Sequence, residues 1–494
     1  MINKIQRKKE ILVVAGISLI GFAAHLLTNG NYGFHRDELY LLDCGRHPSF
    51  GYADMPPFTP MAARLTTAVF GETLQGLRIF PSLLNAVIIF ITGLLTREMG
   101  GKIFAQVLAA VCILTAPVFL ISGTQFQTTI FDEFFWVLIC FLVLRVLNRE
   151  NPKLWILIGI ILGIGLLNKY TLVVFSGSLL TGLFFSPGRS WLKSGWVWLA
   201  AFIALLFLVP NLLWEYFNHW PVIEHMHALK KDESIPAIQY LLEQGIIMNP
   251  LSIPVWLGVL FYFLISGKGR KYGIFAWGYL LPFLFFLIMK GKSYYLSNAY
   301  PALIAGGSVF LESGLINKNI RWPGWVYVSF IAVIGIIFMP LWIPVLSIPD
   351  MIKYRIADVR YDFREMVGWE GLVDIVAFEY HKIPEVERSN LTILAANYGE
   401  AGAINHYGPS LNLPVACSGI GSYYYWGYGN PHAVKFLSVG YPEKYMKKFF
   451  SETRLLAVNR NSHGIQNEEN GIQIVLCSKP LKPISAIWPE FRHF

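Results

Sequence analysis

The chain has 494 residues, of which 54% are hydrophobic and only 14% charged. Soluble domains carry about 25% charged residues, so the composition excludes one water-soluble globule, and the low charge excludes a disordered chain. The net charge of +9 lies wholly in residues 1–346, with 25 Lys and Arg against 16 Asp and Glu, whereas residues 347–494 carry 15 of each. The excess therefore belongs to the apolar part, which points to a bilayer and away from nucleic acid.

Lys4, Arg7, Lys8 and Lys9 precede an apolar run over 11–27. That run is long enough to span a membrane and no small-residue cleavage site follows it, so it predicts a retained first helix. Further apolar segments lie at 76–96, 103–121, 131–147, 154–168, 171–185, 195–213, 250–266, 272–289, 298–315 and 323–346. Together they predict a polytopic α-helical membrane protein with about eleven transmembrane helices. Read as one helix, 154–185 would be about 48 Å long against a hydrocarbon core of about 30 Å. Two short spans meeting at Asn168-Lys169-Tyr170 are therefore expected. The short basic connectors (Arg97/Lys102, Arg145/Arg149/Lys153, Arg189/Lys193, Lys268/Arg270/Lys271 and Lys318/Arg321) then all fall on the side of the N-terminus. Basic short loops stay in the cytoplasm. The reading is thus a bacterial cytoplasmic (inner) membrane protein with a cytoplasmic N-terminus, a transmembrane region over 1–346, outer loops at 28–75 and 214–249, and an extracytoplasmic tail over 347–494.

The tail is turn-rich and neutral. Segments 391–396, 435–439, 454–459 and 471–476 read as short strands and 397–406 as a helix, which predicts a small α/β domain. The five cysteines show no metal spacing, and a Cys417–Cys477 disulfide is left open by the sequence. There is neither a phosphate-binding GxxxxGK[ST] loop nor a GxGxxG after a strand.

The unusual charges collect on the outer face. The first outer loop carries Arg36, Asp37, Glu38, Asp43 and Asp54, and Asp132-Glu133 opens the fourth span. Lys169 lies at the 168–170 turn, and Lys290 and Lys292 follow the ninth span. A carboxylate there reads either as a general base or as a wet cap on a juxtamembrane helix. An ionised residue at a helix centre costs roughly 2.5–3.5 kcal/mol, so Asp132 and Glu133 face a cavity or a cation more readily than lipid. Lys169 reads as a snorkelling cation or a phosphate contact. Outer lysines run against the positive-inside bias and ask for an anion such as a lipid phosphate. Tyr294 and Tyr295 equally fit an interfacial aromatic belt. Glu224, His225 and His227 offer metal-ligand types, but their spacing does not share a helix face. Asn397-Tyr398-Gly399-Glu400 and Ser418–Tyr428 fit either core packing or a sugar or lipid surface.

The run Phe34–Pro57, with Leu167-Asn168-Lys169-Tyr170 and Lys292-Ser293-Tyr294-Tyr295-Leu296, resembles bacterial members of glycosyltransferase family 39 of the GT-C superfamily. That family includes protein O-mannosyltransferases and relatives of the aminoarabinose transferases acting on lipid A. The resemblance extends into the tail at Asn397–Gly408 and Ser418–Gly427. It implies a membrane glycosyltransferase that moves a hexose or pentose, with inversion, from a polyprenyl-phosphate-linked donor to a lipid, glycan or protein hydroxyl on the extracytoplasmic face. By position, Asp37 matches the general base, Glu38 its motif partner and Asp132 a second acidic site, and the resemblance implies these three as the catalytic carboxylates. Lys169 and Lys292, with Tyr294 and Tyr295, would hold the donor phosphate, and Asp54 and Arg36 would position substrate. The chain departs from the family at Asn298, where proline is common, and at Glu133. Both departures bear on substrate identity more than on reaction type. A divalent metal is left open, no nucleic-acid partner is expected, and the alternative reading is a lipid or glycan transporter or flippase.

Overall fold

A computed structural model describes residues 2–232, 235–317 and 322–493. Lys318 and Arg321 of the last basic connector lie outside the described residues. The N-terminal two-thirds is helical: α1 (Ile2–Thr28), α2 (Arg36–Arg46), α3 (Phe58–Phe70), α4 (Leu74–Glu98), α5 (Ile103–Leu114), α6 (Pro117–Thr124), α7 (Thr128–Arg149), α8 (Leu154–Leu166), α9 (Leu172–Phe184), α10 (Gly195–Phe217), α11 (Pro221–Asp232), α12 (Ala237–Ile247), α13 (Ile253–Ile265), α14 (Gly273–Met289), α15 (Tyr300–Asn317) and α16 (Trp322–Phe338). Each expected apolar segment coincides with one of these helices or with a bent pair. Among the described residues, five helices are long and apolar enough to cross a membrane, and up to eight spans result if each bent pair counts as one. The α5–α6 pair bends by 60° ahead of Pro117, whose ring cannot continue the preceding turn. The expected break at 168–170 is present, with α8 ending at Leu166 and α9 starting at Leu172.

Two short helices lie between α1 and α4. A capping box starts α2: the His35 Nδ1 accepts the Asp37 N–H at 3.2 Å and the Glu38 carboxylate accepts the His35 N–H at 2.9 Å. This reciprocal pairing satisfies two otherwise orphaned donors. After Pro56-Pro57, α3 buries Thr59, Ala62, Ala63 and Thr66 while Met61, Leu65 and Val69 stay exposed. The four-residue spacing of those three places them on one stripe.

The tail contains α17 (Trp369–His381), α18 (Tyr398–Tyr407) and strands β1 (Leu391–Ala395), β2 (Ala416–Ser418), β3 (Lys435–Val439), β4 (Phe450–Val458) and β5 (Gln473–Pro480). The sheet order is β2-β1-β3-β5-β4. β1 is parallel to β2 and β3, with Ile393 opposite Ala416 and Leu437, and β5 runs antiparallel to β3 and β4. The buried run Leu391–Ala395 suits a strand covered on both faces. α18 supplies the crossover that a parallel pair requires. The three-residue β2 was not anticipated, being too short to carry a periodic signal. The Cys417–Cys477 pairing is corrected: all five cysteines are free and buried. Cys417 lies on β2 and Cys477 on β5, three strands apart, or about 14 Å at ordinary strand spacing, well beyond disulfide reach.

The tail does not stand apart from the membrane region. One continuous apolar core joins Leu39, Tyr40 and Leu41 of α2 to Trp369, Leu372, Ala403 and Ile404 of the tail.

Candidate active site

Asp37 sits in the first turn of α2, its side chain 40% exposed. Its Oδ1 accepts the Tyr398 hydroxyl at 3.0 Å and its Oδ2 accepts the Gln127 amide at 3.2 Å. The carboxylate is thus held between the tail and the residue preceding α7, yet remains open to solvent.

Glu38, expected beside it among the catalytic carboxylates, is turned the other way. It is fully buried. One oxygen accepts Arg78 Nε and the Phe126 N–H, both at 2.9 Å. The other accepts the His35 N–H at 2.9 Å and an Arg78 terminal nitrogen at 2.6 Å. Arg78, also fully buried, donates in addition to the Asn29 and Gly33 carbonyls at 2.9 and 3.0 Å. This geometry makes Glu38 a clamp between α2, α4 and the start of α7, facing away from the open side on which Asp37 lies.

Asp54 accepts the Tyr40 hydroxyl at 2.7 Å, and Tyr40 in turn meets Ser422 of the tail at 2.7 Å. Burial pushes the Asp54 carboxyl above its ordinary range, outweighing the pull of His225 and of the Tyr40 bond, and the Asp37 charge adds to the rise. Arg36 ties α2 to the tail, with ion pairs to Glu365 at 3.0 Å and Glu468 at 2.8 Å. Its guanidinium lies 5.5 Å over the Tyr398 ring. Beside it, His35 Nε2 is 3.2 Å from Glu365. Burial pulls the His35 pKa down, but Asp37 and Glu365 outweigh it and the net direction is up.

A second polar group lies further along α7. Asp132, 4% exposed, accepts the Asn298 amide at 2.7 Å and the Thr171 hydroxyl at 3.2 Å, and its Oδ1 has no hydrogen-bond partner among the described residues. Glu133, fully buried, accepts the Ser122 hydroxyl at 2.6 Å. The charge of Lys169 acts on both acids, and its ammonium lies 4.6 Å over the Tyr295 ring and 5.5 Å over Tyr294. Lys292 immediately precedes the short turn Ser293–Ala299 that carries both tyrosines. Asn168, buried beside Lys169, joins the elements: it accepts the Thr59 hydroxyl of α3 at 2.5 Å and donates to the Thr128 carbonyl of α7 at 2.9 Å. Gln127 and Asp132 are five residues apart, about 7.5 Å along a helix axis. The Asp37 and Lys169 groups are therefore neighbours along the head of α7.

Glu224, His225 and His227, whose spacing speaks against a shared metal, form no metal-binding group. Glu224 instead meets Arg492 at 2.7 Å, and no group of three or more His, Cys, Asp or Glu able to hold a metal occurs among the described residues.

Residues 54–214 match the family model described as dolichyl-phosphate-mannose-protein mannosyltransferase. That stretch holds Asp54, Asp132 and Lys169. Among solved structures the chain is similar to ArnT from Cupriavidus metallidurans in the apo state, at 13% identity and a TM-score of 0.60, covering 95% of this chain and 98% of that one. The same protein bound to undecaprenyl phosphate matches at 13% identity and a TM-score of 0.59, covering 94% and 97%. The chain shares the fold of these ArnT structures, and its residues 54–214 are similar to the mannosyltransferase family. The archaeal oligosaccharyltransferase AglB from Archaeoglobus fulgidus, in complex with an inhibitory peptide and a dolichol-phosphate, is also similar in fold, at 13% identity and a TM-score of 0.51, covering 84% of this chain and 64% of that one. No curated protein matches the sequence.

Within this fold, sequence reasoning missed several site residues. Arg78 had a readable signal, because a lone arginine inside an apolar span demands a buried partner. Gln127 and Asn298 had none, since an amide gains meaning only from what faces it. Asn298, the departure from the pattern of the family the sequence resembles, donates to Asp132. Glu215, near the end of α10, is a further buried acid, 1% exposed and 3.4 Å from the Tyr170 hydroxyl.

Proposed function

We propose that this GT-C protein moves a sugar from a polyprenyl-phosphate donor to a hydroxyl acceptor at the outer face of a bacterial cytoplasmic membrane, with inversion and with Asp37 as general base. The observation that carries the reading is the pairing of a solvent-open, oriented carboxylate at Asp37 with the Lys169–Tyr294–Tyr295 group one step along α7. Undecaprenyl phosphate bound to ArnT and dolichol-phosphate bound to AglB support a lipid-phosphate donor for a chain of the same fold. The division of labour follows from the chemistry. Asp37 takes the acceptor proton as the acceptor oxygen attacks the anomeric carbon, and the lipid phosphate leaves as a stable anion, so no strong general acid is needed. Lys169 and Lys292 stabilise the charge that collects on the phosphate, while Asp132 orients Lys169. The carboxylates of the site also favour a sugar carbon that is cation-like in the transition state. Asp54 and Arg36 shape the acceptor side, and Glu38 holds the base in place through Arg78.

Asp37→Asn removes the base and keeps the shape. Membranes carrying this variant and the parent are incubated with radiolabelled polyprenyl-phosphate sugar, and label is followed into lipid and protein. A positioned base is worth about 10²–10⁴-fold, so transfer falls by that factor at equal protein level and insertion. Undiminished transfer would sink the assignment. A transporter or flippase would leave the donor bond intact in parent membranes as well.

A further inference from the structure

The motif Asn397-Tyr398-Gly399-Glu400 at the head of α18 finds no place in the membrane chemistry above, yet it reaches the site. We propose that Tyr398 is a positioning residue for Asp37, so that the C-terminal tail is a working part of the active site rather than an appended domain. The inference rests on the reading of Asp37 as the base.

Three observations carry it. First, the Tyr398 hydroxyl donates to Asp37 Oδ1 at 3.0 Å while Gln127 donates to Oδ2. Satisfaction alone does not require this bond, because a carboxylate that is 40% exposed can be hydrated. What two donors from two different elements add is direction: with one donor on each oxygen they fix the plane of the carboxylate, while the side chain stays 40% exposed. Second, Tyr398 is itself held. Its ring packs on the Arg36 guanidinium at 5.5 Å and on the Tyr40 ring at 5.2 Å. Tyr40 bonds Asp54 as Tyr398 bonds Asp37, so two packed tyrosines each hold one acid of the first outer loop. Burial raises the Tyr398 phenol well above its ordinary value, which keeps the donated proton in place. Third, the backbone is built for this approach. Asn397 and Glu400 form a capping box that fixes the start of α18. A Cβ on Gly399 would meet the Trp369 ring at 2.7 Å and the Arg36 Cβ at 2.9 Å, and one on Gly402 would meet the Leu39 Cβ at 2.8 Å. Only glycine at these places lets α18 lie against α2 closely enough for Tyr398 to reach Asp37.

The test is Tyr398→Phe in the full-length membrane protein, which keeps the ring and removes only the hydroxyl. A hydrogen bond to a charged group is worth enough to predict a kcat loss of about 10- to 100-fold, with KM for the polyprenyl-phosphate sugar unchanged. A merely structural role would instead move KM and protein yield together. A second readout needs no turnover: carbodiimide labelling of Asp37, followed by mass spectrometry, rises severalfold in Tyr398→Phe while labelling of Asp54 stays constant. Parental kcat with unchanged Asp37 labelling overturns the proposal. Raised labelling in a protein whose parent turns over no donor supports the positioning contact and overturns the glycosyltransferase reading instead.

Discussion

Asp37 and Glu38 are adjacent acids with opposite fates, and the difference is geometric. Neighbouring helical positions point about 100° apart, so when Asp37 faces the open side, Glu38 faces inward, onto Arg78. The ion pair is fully buried on both sides. Removing one partner of such a pair leaves an uncompensated charge and costs about 3–5 kcal/mol. Glu38→Gln is therefore expected to lower the thermal midpoint of the detergent-solubilised protein markedly, whereas Asp37→Asn leaves it near the parental value. A melting comparison of the two variants checks this, and equal midpoints would return Glu38 to the reacting groups. The sequence could place both acids in the first outer loop but could not tell them apart. The partner that separates them, Arg78, lies 40 residues away on α4.

At the scale of elements, α7 and α18 do most of the assembly. The head of α7 gathers Gln127, Asp132 and Glu133, and through Asn168 it takes hold of the α8–α9 turn that carries Lys169. α18 closes the other side by packing on α2. Gly402→Val places branched bulk against the Leu39 backbone, where even a single Cβ would come within 2.9 Å of the carbonyl carbon. The expected result is an undocked α18. Limited proteolysis would cut the segment between α17 and β2 faster than in the parent, and transfer would fall with it. An unchanged cleavage rate would show that the two helices can part without cost. The α18 crossover was readable from 397–406 because its cap and its neighbouring strand both leave local signals. Its docking partner was not, because small residues on a helix say only that something comes close.

For the whole molecule, the expected orientation is open to a direct test, since all five native cysteines are buried. Val386, 85% exposed in the tail, and Asn151, exposed in a basic connector, are suitable places for a single new cysteine. Val386→Cys should react with a membrane-impermeant maleimide on intact cells, and Asn151→Cys only after permeabilisation. The reverse pattern would invert the topology and move Asp37 to the cytoplasm. The sequence by itself determined the membrane class, the helical segments with their break at Asn168-Lys169-Tyr170, the α/β character of the tail and the cluster of candidate charges. Hydropathy, loop charge and capping are local properties, and each is written in consecutive residues. Tertiary structure alone decided that Glu38 is a clamp, that Asn298 serves Asp132, that Cys417 and Cys477 stand three strands apart, and that Tyr398 of the tail meets Asp37. Each of these depends on pairings across 40 to more than 350 positions of chain. No window of sequence contains both partners of such a contact, so only the packing of the helices and sheet could bring them together.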